Sequence, residues 1–397
     1  MQYRAKLPIQ NPDLEGFAQQ SGASRFVFNW GLEQCIKDKK KTGKLPSFND
    51  ICSKLPKLKK KEKWLKTADA NALQQSLRDL YASINLMFKA NAGFPKFKAK
   101  KFTQPHFRTC MGIRLNEATI KVGKLGTFKV RRRGKRLDGR LKSISCKQEG
   151  NGRWYASLLL EAVDREPLPK KKATCGIDMG SRIFACVHSS TGKAFQVRRP
   201  KREAQQLEKI KRLQQTHSRT QKDSNRREKA RRNLAKAYFK LQNQRKDFNH
   251  KLSRKVVNAF QKIAVENLNV KGLMRTKSAA KGFQQAAIGE FLRMLAYKAE
   301  WYGRQFVEVN AAYTSKTCPD CGAVNDLRKQ TFKKTKRNRY WECLGCGVVH
   351  ERDEAAAKNI HQRGKISWAP KVPSLRTHKS SFGKLGSLKR EAYALMA

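Results

Sequence analysis

The sequence predicts a multidomain α/β protein whose partner is a nucleic acid. Three observations carry this. The chain of 397 residues is long enough for two or three domains, each with its own core. Strand-like and helix-like periodicities follow one another along it in blocks. Lys plus Arg number 88 against 31 Asp plus Glu, a formal charge of +57. Self-repulsion of that size opposes compaction unless a polyanion neutralises it. DNA or RNA does so with a gain from released counterions. The bland alternative is a generic basic RNA binder of the ribosomal-protein kind. A membrane-surface role fits less well, because the basic residues run through the whole chain rather than along one amphipathic helix.

Residues 1–21 and 102–166 read as strand-rich. Ile113 to Val130 has short apolar runs broken by Gly123 and Gly126, and Trp154 to Val163 reads as a good strand. Between them, 22–101 reads as helical: Arg25 to Ile36 and Ala70 to Ala90 carry apolar residues at helical spacing. The expectation is a β-barrel-like module with a helical insert. Glu166 to Lys172, with two prolines and a lysine run, reads as a linker.

A new domain opens at Ala173 with two strands, Ala173–Gly180 and Arg182–Ser189. The stretch 201–271 has no Gly or Pro. Most of it reads as two long basic helices with a polar break at Thr216–Asn225. A solvated hairpin is the bland reading; the charge favours a hairpin lying along nucleic acid. A strand at Lys262–Glu266, a helix at Ile288–Gly303 and a strand at Gln305–Val309 come next. A last helix runs from about Glu354 to Gln362. The segment 364–397 is basic and weakly patterned and reads as a disordered tail. The start has no apolar leader and no stretch reaches the length of a membrane span, so a soluble, cytoplasmic protein with no membrane partner is expected.

Ten cysteines in a reducing compartment are not a disulfide framework. Cys35, Cys52, Cys110, Cys146, Cys175 and Cys186 are scattered singly and read as small core residues. The other four form two CxxC knuckles, Cys318/Cys321 and Cys343/Cys346. Each knuckle presents two thiolates on one side of a tight loop, and two loops complete a tetrahedral four-sulfur site. Gly322 and Gly347 directly follow the knuckles and supply the permissive backbone such turns need. A redox CxxC normally stands alone at a helix start. One structural Zn²⁺ is therefore expected, with no open position for chemistry. Lys329 to Arg339, between the knuckles, is basic enough to touch a phosphate.

In so basic a chain, an acid at the end of an apolar strand stands out. Asp178 ends Cys175-Gly176-Ile177, and Glu266 ends Ile263-Ala264-Val265. Asp353 opens the last helix, whose Ala355, Ala356 and Ala357 are small enough to let it pack close to a sheet. Each acid alone could be a cap or an ion-pair partner. Three converging carboxylates in strand, strand, helix order fit an RNase H-like nuclease fold. Hard cations such as Mg²⁺ take oxygen ligands. Two of them about 3.5–4 Å apart would clamp the attacking and leaving oxygens of a phosphodiester.

These residues resemble a known family. Gly176-Ile177-Asp178-Met179-Gly180, Val265-Glu266-Asn267-Leu268, the CxxCG knuckles after Tyr313-Thr314-Ser315, and Arg352-Asp353 before Ala356-Ala357-Lys358-Asn359-Ile360 look like the split RuvC site and zinc finger of TnpB proteins. Arg25-Phe26-Val27-Phe28-Asn29, Leu73-Gln74-Gln75-Ser76-Leu77 and Gly93-Phe94-Pro95-Lys96-Phe97 extend the resemblance towards the start. Asp247-Phe248, His250-Lys251-Leu252, Tyr297-Lys298-Ala299 and Trp301-Tyr302-Gly303 extend it through the helices. Two departures stand out: Glu351 replaces the family's usual Asp, and Ala355 its usual Asn.

The resemblance implies a wedge-like β-barrel (1–21 and 102–166) with an inserted helical recognition lobe (22–101). It implies a RuvC-like nuclease (173–310 and 348–363) interrupted by a zinc finger (311–347). It further implies an RNA-guided DNA endonuclease acting as a monomeric ribonucleoprotein, cytoplasmic and on the prokaryotic nucleoid when bound to DNA. A guide RNA from the transposon end would pair with one strand of double-stranded target DNA, while the protein reads a short adjacent motif. Asp178, Glu266 and Asp353 would hold two Mg²⁺. Asn71 and Gln74 become candidate motif readers, since amides suit adenine edges; exposed polar positions on a helix is the equal alternative. A compact type V CRISPR effector, or a guided DNA-binding protein without cleavage, remains open on the same residues.

Overall fold

A computed structural model of the full chain describes residues 2–90, 93–132, 137, 139–161, 166–180, 183–268, 287–326 and 340–368. The chain divides into two compact units. One comprises Met1–Lys170, Arg198–Ala259 and Gln284–Gly303; the other comprises Lys171–Val197, Phe260–Phe283 and Arg304–Ala397.

The first unit begins with strand β1 (Gln2–Gln10) and then inserts three helices. Helix α1 (Leu14–Thr42) starts earlier than its periodicity suggested, because the Asp13 side chain accepts from the Gly16 N–H and caps it there. Gly43, at φ 70°, ends it in the left-handed conformation, with its N–H donating to the Lys39 carbonyl. Ser47 and Asp50 form a capping box at α2 (Phe48–Lys61). Helix α3 (Ala70–Ala90) buries Leu73, Leu77, Leu80 and Ile84 against Val27, Leu32, Ile51 and Leu65. The 3–4 spacing of those residues is what makes a separate helical core possible.

The chain then returns as β2 (His106–Thr109), β3 (Ile113–Leu115), β4 (Thr119–Val122), β5 (Gly126–Val130), β6 (Arg140–Gln148) and β7 (Trp154–Glu161). With β1 these make one seven-stranded sheet, ordered β2-β6-β7-β1-β5-β4-β3. All seven strands contribute to a single apolar cluster around Phe17 of α1. Phe107, Phe128 and Trp154 meet the Phe17 ring edge-on at centroid distances of 5.6, 5.3 and 4.9 Å. The sheet curls around a core as a barrel does, but among the described residues its pairing ends at β2 and β3 without closing. The expected barrel is thus an open, curled sheet, with Phe17 as part of its filling.

Helices α4 (Lys201–Arg219) and α5 (Asn225–Ala259) form the expected hairpin, broken at Thr220–Ser224. A thin seam of Leu207, Ile210, Leu213, Leu234, Ala237 and Leu241 joins them. About half of their exposed residues are Lys or Arg. Buried Glu203 takes Arg199 at 2.9 Å and Arg245 at 2.7 Å, so two cations that would otherwise repel are held by one acid. Phe239 of α5 lies 5.5 Å from Tyr155 of β7. Helix α6 (Ile288–Trp301) packs on α5, where buried Lys298 donates to the His250 carbonyl at 2.7 Å and to the Ser253 hydroxyl at 2.8 Å.

The second unit holds a five-stranded sheet ordered β10-β9-β8-β11-β12. Its strands are β8 (Thr174–Met179), β9 (Ala185–Ser189), β10 (Ala194–Val197), β11 (Lys262–Glu266) and β12 (Gln305–Val309). The first three form an antiparallel meander, and β11 and β12 run parallel to β8. Helix α7 (Arg352–Trp368) crosses β8, β9, β11 and β12. It extends past Gly364, where the tail was expected to begin. Gly364 allows this: a Cβ there would lie 2.5 Å from Ala264 Cβ. A short ribbon, β13 (Tyr340–Glu342) with β14 (Val349–Glu351), runs directly into α7. The described residues contain no helix long and apolar enough to cross a membrane.

Candidate functional site

Strand β8 pairs with β11 in parallel, with Val265 opposite Ile177. The next residues are Asp178 and Glu266. Both acids therefore lie at the same end of these two adjacent strands. Asp353 sits in the first turn of α7, at the positive end of the helix. Glu351 supplies the cap: its carboxylate accepts from the Glu354 N–H at 2.9 Å. The acid found in place of the family's Asp thus still holds the helix start.

What brings α7 down onto the acids is the absence of side chains between helix and sheet. A Cβ on Gly176 would lie 2.4 Å from the Ala357 carbonyl oxygen. Ala355, Ala356 and Ala357 are all buried. Burial holds the Asp178 carboxyl well above its ordinary range, and the charges of Glu266 and Asp353 push it further, to about 8. Burial also raises Glu266, against a hydrogen bond from the Thr314 hydroxyl and the field of Arg363. Asp178 thus feels the charge of both other acids. Among the described residues, the donor sets lying wholly within 4.8 Å are the cysteine-based ones; the three carboxylates do not close to that spacing. Three side chains that offer only oxygen are a donor set suited to a hard divalent cation.

The four knuckle cysteines converge. All four sulfurs lie within 4.8 Å of one another, with Cys318–Cys346 at 3.7 Å and Cys321–Cys343 at 3.5 Å. Gly322 at φ 80° and Gly347 at φ 72° turn the knuckles, their N–H groups donating to the carbonyls of Cys318 and Cys343 at 3.0 and 2.8 Å. Trp341 and Ala355 complete a small core around Cys318 and Cys343. Ala355, where the family has Asn, is therefore packing against the cluster.

Asn71 and Gln74 have different surroundings. The Asn71 side-chain oxygen accepts from the Cys110 N–H at 2.8 Å and the Thr109 hydroxyl at 3.1 Å, tying α3 to the end of β2. Gln74 is exposed. The basic segment Lys329–Arg339 lies outside the described residues, as does the tail beyond Trp368.

Three participants have roles the sequence does not show; Thr314 and Asn359 enter there only within family motifs. Thr314 donates to Glu266. Asn359 of α7 donates to the carbonyls of Thr314 and Thr317, both at 2.8 Å. His350 places Nε2 3.2 Å from Cys318 Sγ and 3.7 Å from Asp320, and Asp320 in turn pairs with Lys358. His350 was passed over, though it is a metal-ligand residue type four positions after Cys346.

Taken together, the curled sheet with its helical insert, the mixed acid-bearing sheet and the four-cysteine cluster define a Cas12-like multidomain α/β protein. The chain matches the structure titled "Cryo-EM structure of the Cas12f1-sgRNA-target DNA complex" with a TM-score of 0.59 at 13% identity, covering 87% of this chain and 82% of that one. Residues 157–277 match the family described as "Probable transposase", and residues 289–360 match "Cas12f1-like, TNB domain". The "Putative RNA-guided DNA endonuclease" of Streptomyces pristinaespiralis is 31% identical over 379 residues, 91% of this chain and 90% of that protein. The "Putative RNA-guided DNA endonuclease InsQ" of Escherichia coli is 28% identical, covering 87% of each. The "TnpB-like protein L79" of Acanthamoeba polyphaga mimivirus is 30% identical over 57% of this chain and 44% of its own length. The chain belongs to the TnpB family of RNA-guided DNA endonucleases.

Proposed function

We propose that this protein binds a guide RNA from its transposon end, recognises a short motif beside the target, and hydrolyses both strands of the DNA at one RuvC-type site. The observation that carries the chemistry is the pairing register. It puts Asp178 and Glu266 at the same end of adjacent strands, and Asp353, in the first turn of α7, is near enough for its charge to act on Asp178. The charge of +57 supports two polyanionic partners, RNA and DNA. The relatives' names support the guidance.

Asp178, Glu266 and Asp353 would hold Mg²⁺, two ions by this reading. Bound there, the metal would lower the pKa of a water and stabilise charge on the leaving oxygen. The chain's own part is positional. Parallel pairing fixes two carboxylates, and the short contact at Gly176 fixes the height of the third. Cys318, Cys321, Cys343 and Cys346 would hold one structural Zn²⁺, and with no ligand position left open the site serves folding. The curled sheet and the α1–α3 cluster would serve as wedge (1–21, 102–166) and recognition lobe (22–101). Segments 173–310 and 348–363 would form the nuclease and 311–347 the zinc finger. The working unit is a monomer with its RNA in the cytoplasm.

Sequencing of the RNA that copurifies with the protein, followed by cleavage assays on duplex DNA matching its guide, tests this. A single RNA species ending in a guide and Mg²⁺-dependent cutting are expected. A guide read from a CRISPR array would reassign its source to a type V effector. Robust cutting by Asp178→Ala would sink the carboxylate assignment. Binding without cutting by the unaltered protein would leave a guided DNA-binding protein.

A further inference from the structure

Within the second unit, one short segment joins the carboxylates to the four-cysteine cluster. It leaves β12 at Val309 and reaches the first knuckle at Cys318. The backbone of Asn267, directly after Glu266, is tied to it, the Asn267 N–H donating to the Val309 carbonyl at 2.8 Å. Near its middle, Thr314 is buried and donates its hydroxyl to Glu266 Oε1.

Helix α7 clasps the same segment with polar side chains from successive turns. Asn359, itself buried, donates to the Thr314 and Thr317 carbonyls at 2.8 Å each. Gln362 donates to the Pro319 carbonyl at 3.0 Å. Arg363 donates to the Asn310 and Ala312 carbonyls at 2.7 Å each. Lys358 pairs with Asp320 inside the knuckle. Tyr313, the residue before Thr314, holds a positive φ of 61°, a conformation that a bulky side chain adopts only when its surroundings impose it.

From this geometry we infer that Thr314 is a positioning residue for Glu266. Its hydroxyl selects which Glu266 oxygen is left to face a divalent cation, and Asn359 holds Thr314 in place from the helix that carries Asp353. A free glutamate side chain samples several rotamers, each costing entropy to freeze when a cation binds. A carboxylate already hydrogen-bonded on one oxygen, with the donor itself anchored, has met most of that cost in the folded chain. The role rests on the carboxylate reading above and adds to it a residue outside the triad. It also makes the four-cysteine cluster a support for the acids, because the segment Thr314 sits on is stretched between the two.

The test is Mn²⁺ binding to the full, zinc-loaded, RNA-free chain, followed by calorimetry and by electron paramagnetic resonance, with Asp178→Ala as the blank for nonspecific sites. Thr314→Val keeps the shape and removes the hydroxyl; Mn²⁺ affinity at the specific site is expected to fall roughly tenfold or more, because binding must then freeze the glutamate side chain. Thr314→Ser restores the hydroxyl and is expected to stay within about threefold of the unaltered chain. Asn359→Ala leaves the carboxylates untouched and is expected to weaken Mn²⁺ by an intermediate factor while zinc content stays at one per chain; it serves if Thr314→Val does not fold. Thr314→Val, or in its place Asn359→Ala, binding Mn²⁺ as the unaltered chain does would overturn the inference alone. So would Thr314→Ser losing affinity as far as Thr314→Val. An unaltered chain no better than Asp178→Ala would overturn the carboxylate reading and this inference with it.

Discussion

Gly176 of β8 lies so close to Ala357 of α7 that a single added methyl would sit 2.4 Å from the Ala357 carbonyl oxygen and 2.3 Å from the His361 nitrogen. Both neighbours are helix backbone, which cannot swing aside as a side-chain tip can. The sheet–helix distance at the acids is therefore set by the smallest residue available. Gly176→Ala is expected to force α7 away from β8, costing about 1–3 kcal/mol, as overpacking does. Denaturant melts of the two chains measure this. Because Asp353 rides on α7, cutting should fall more than the stability loss alone explains. Cleavage at a temperature where both chains are folded separates the two effects.

Asp178 should oppose the stability of the metal-free fold at neutral pH. Its carboxyl ionises near 3.8 in an unfolded chain and near 8 here, mainly through burial and then through Glu266 and Asp353. Protonation is thus favoured by folding. The stability this brings is full below about pH 4 and is lost as pH rises through about 8. Asp178→Asn keeps the shape without the charge. In chelator it should melt higher than the unaltered chain at pH 8, with the gap closing towards pH 4. Even ~1 kcal/mol corresponds to roughly 2–4 °C for a body of this size. The same variant should abolish cutting. A variant that melts lower at pH 8 would show that the acid is stabilised by something other than a missing cation.

Much of this site was legible in the sequence, and the reason differs by residue. Asp178 and Glu266 stood out because an acid ending an apolar strand is costly in a sheet edge and rare in so basic a chain. The knuckles stood out because four thiolates at that spacing have few other uses. The break in the α4–α5 hairpin was visible as a polar run. What was not legible is long-range. The Thr314–Glu266 bond spans 48 positions, and no local pattern marks it. Closure of the first sheet depends on whether β2 and β3 meet, which strand patterning does not encode. Phe17 falls in the stretch that reads as strand-rich, yet it reaches the sheet core from a helix, because Asp13 caps that helix early. The end of α7 was masked by Gly364, normally a helix stop, which here is kept for its close approach to Ala264.

Asn71 and Gln74 were proposed together as readers of the target-adjacent motif, but the fold separates them. The Asn71 oxygen is engaged by Cys110 and Thr109, so Asn71→Ala leaves a backbone N–H without its acceptor. A cost of about 1–3 kcal/mol is expected in thermal or chemical melts. Gln74→Ala, at an exposed position, should leave the melt unchanged within about 0.5 kcal/mol. If Gln74 reads an adenine, its loss should relax motif preference at one base by about 1–3 kcal/mol, measured by cleavage of a library randomised beside the target. An unchanged preference profile would remove Gln74 from the motif readers.

His350 is expected to tune the four-cysteine cluster without being one of its four sulfur ligands. Its Nε2 lies 3.2 Å from Cys318 Sγ, and its ring is held 4.9 Å from Trp341. An N–H donated to a thiolate drains charge from the sulfur and fixes its direction, and such outer partners are worth 10–100-fold in metal affinity. His350→Ala should therefore keep one zinc per chain at saturating metal but release it to a competing chelator about 10–100 times more readily. Loss of a buried cysteine, as in Cys343→Ser, should instead abolish stoichiometric zinc and lower the melting temperature, since Cys343 is itself part of the small core around Trp341. Cobalt in place of zinc gives the deciding signature. A four-sulfur absorption spectrum retained in His350→Ala places the histidine outside the metal's ligands, and a shift on its removal would make it one of them.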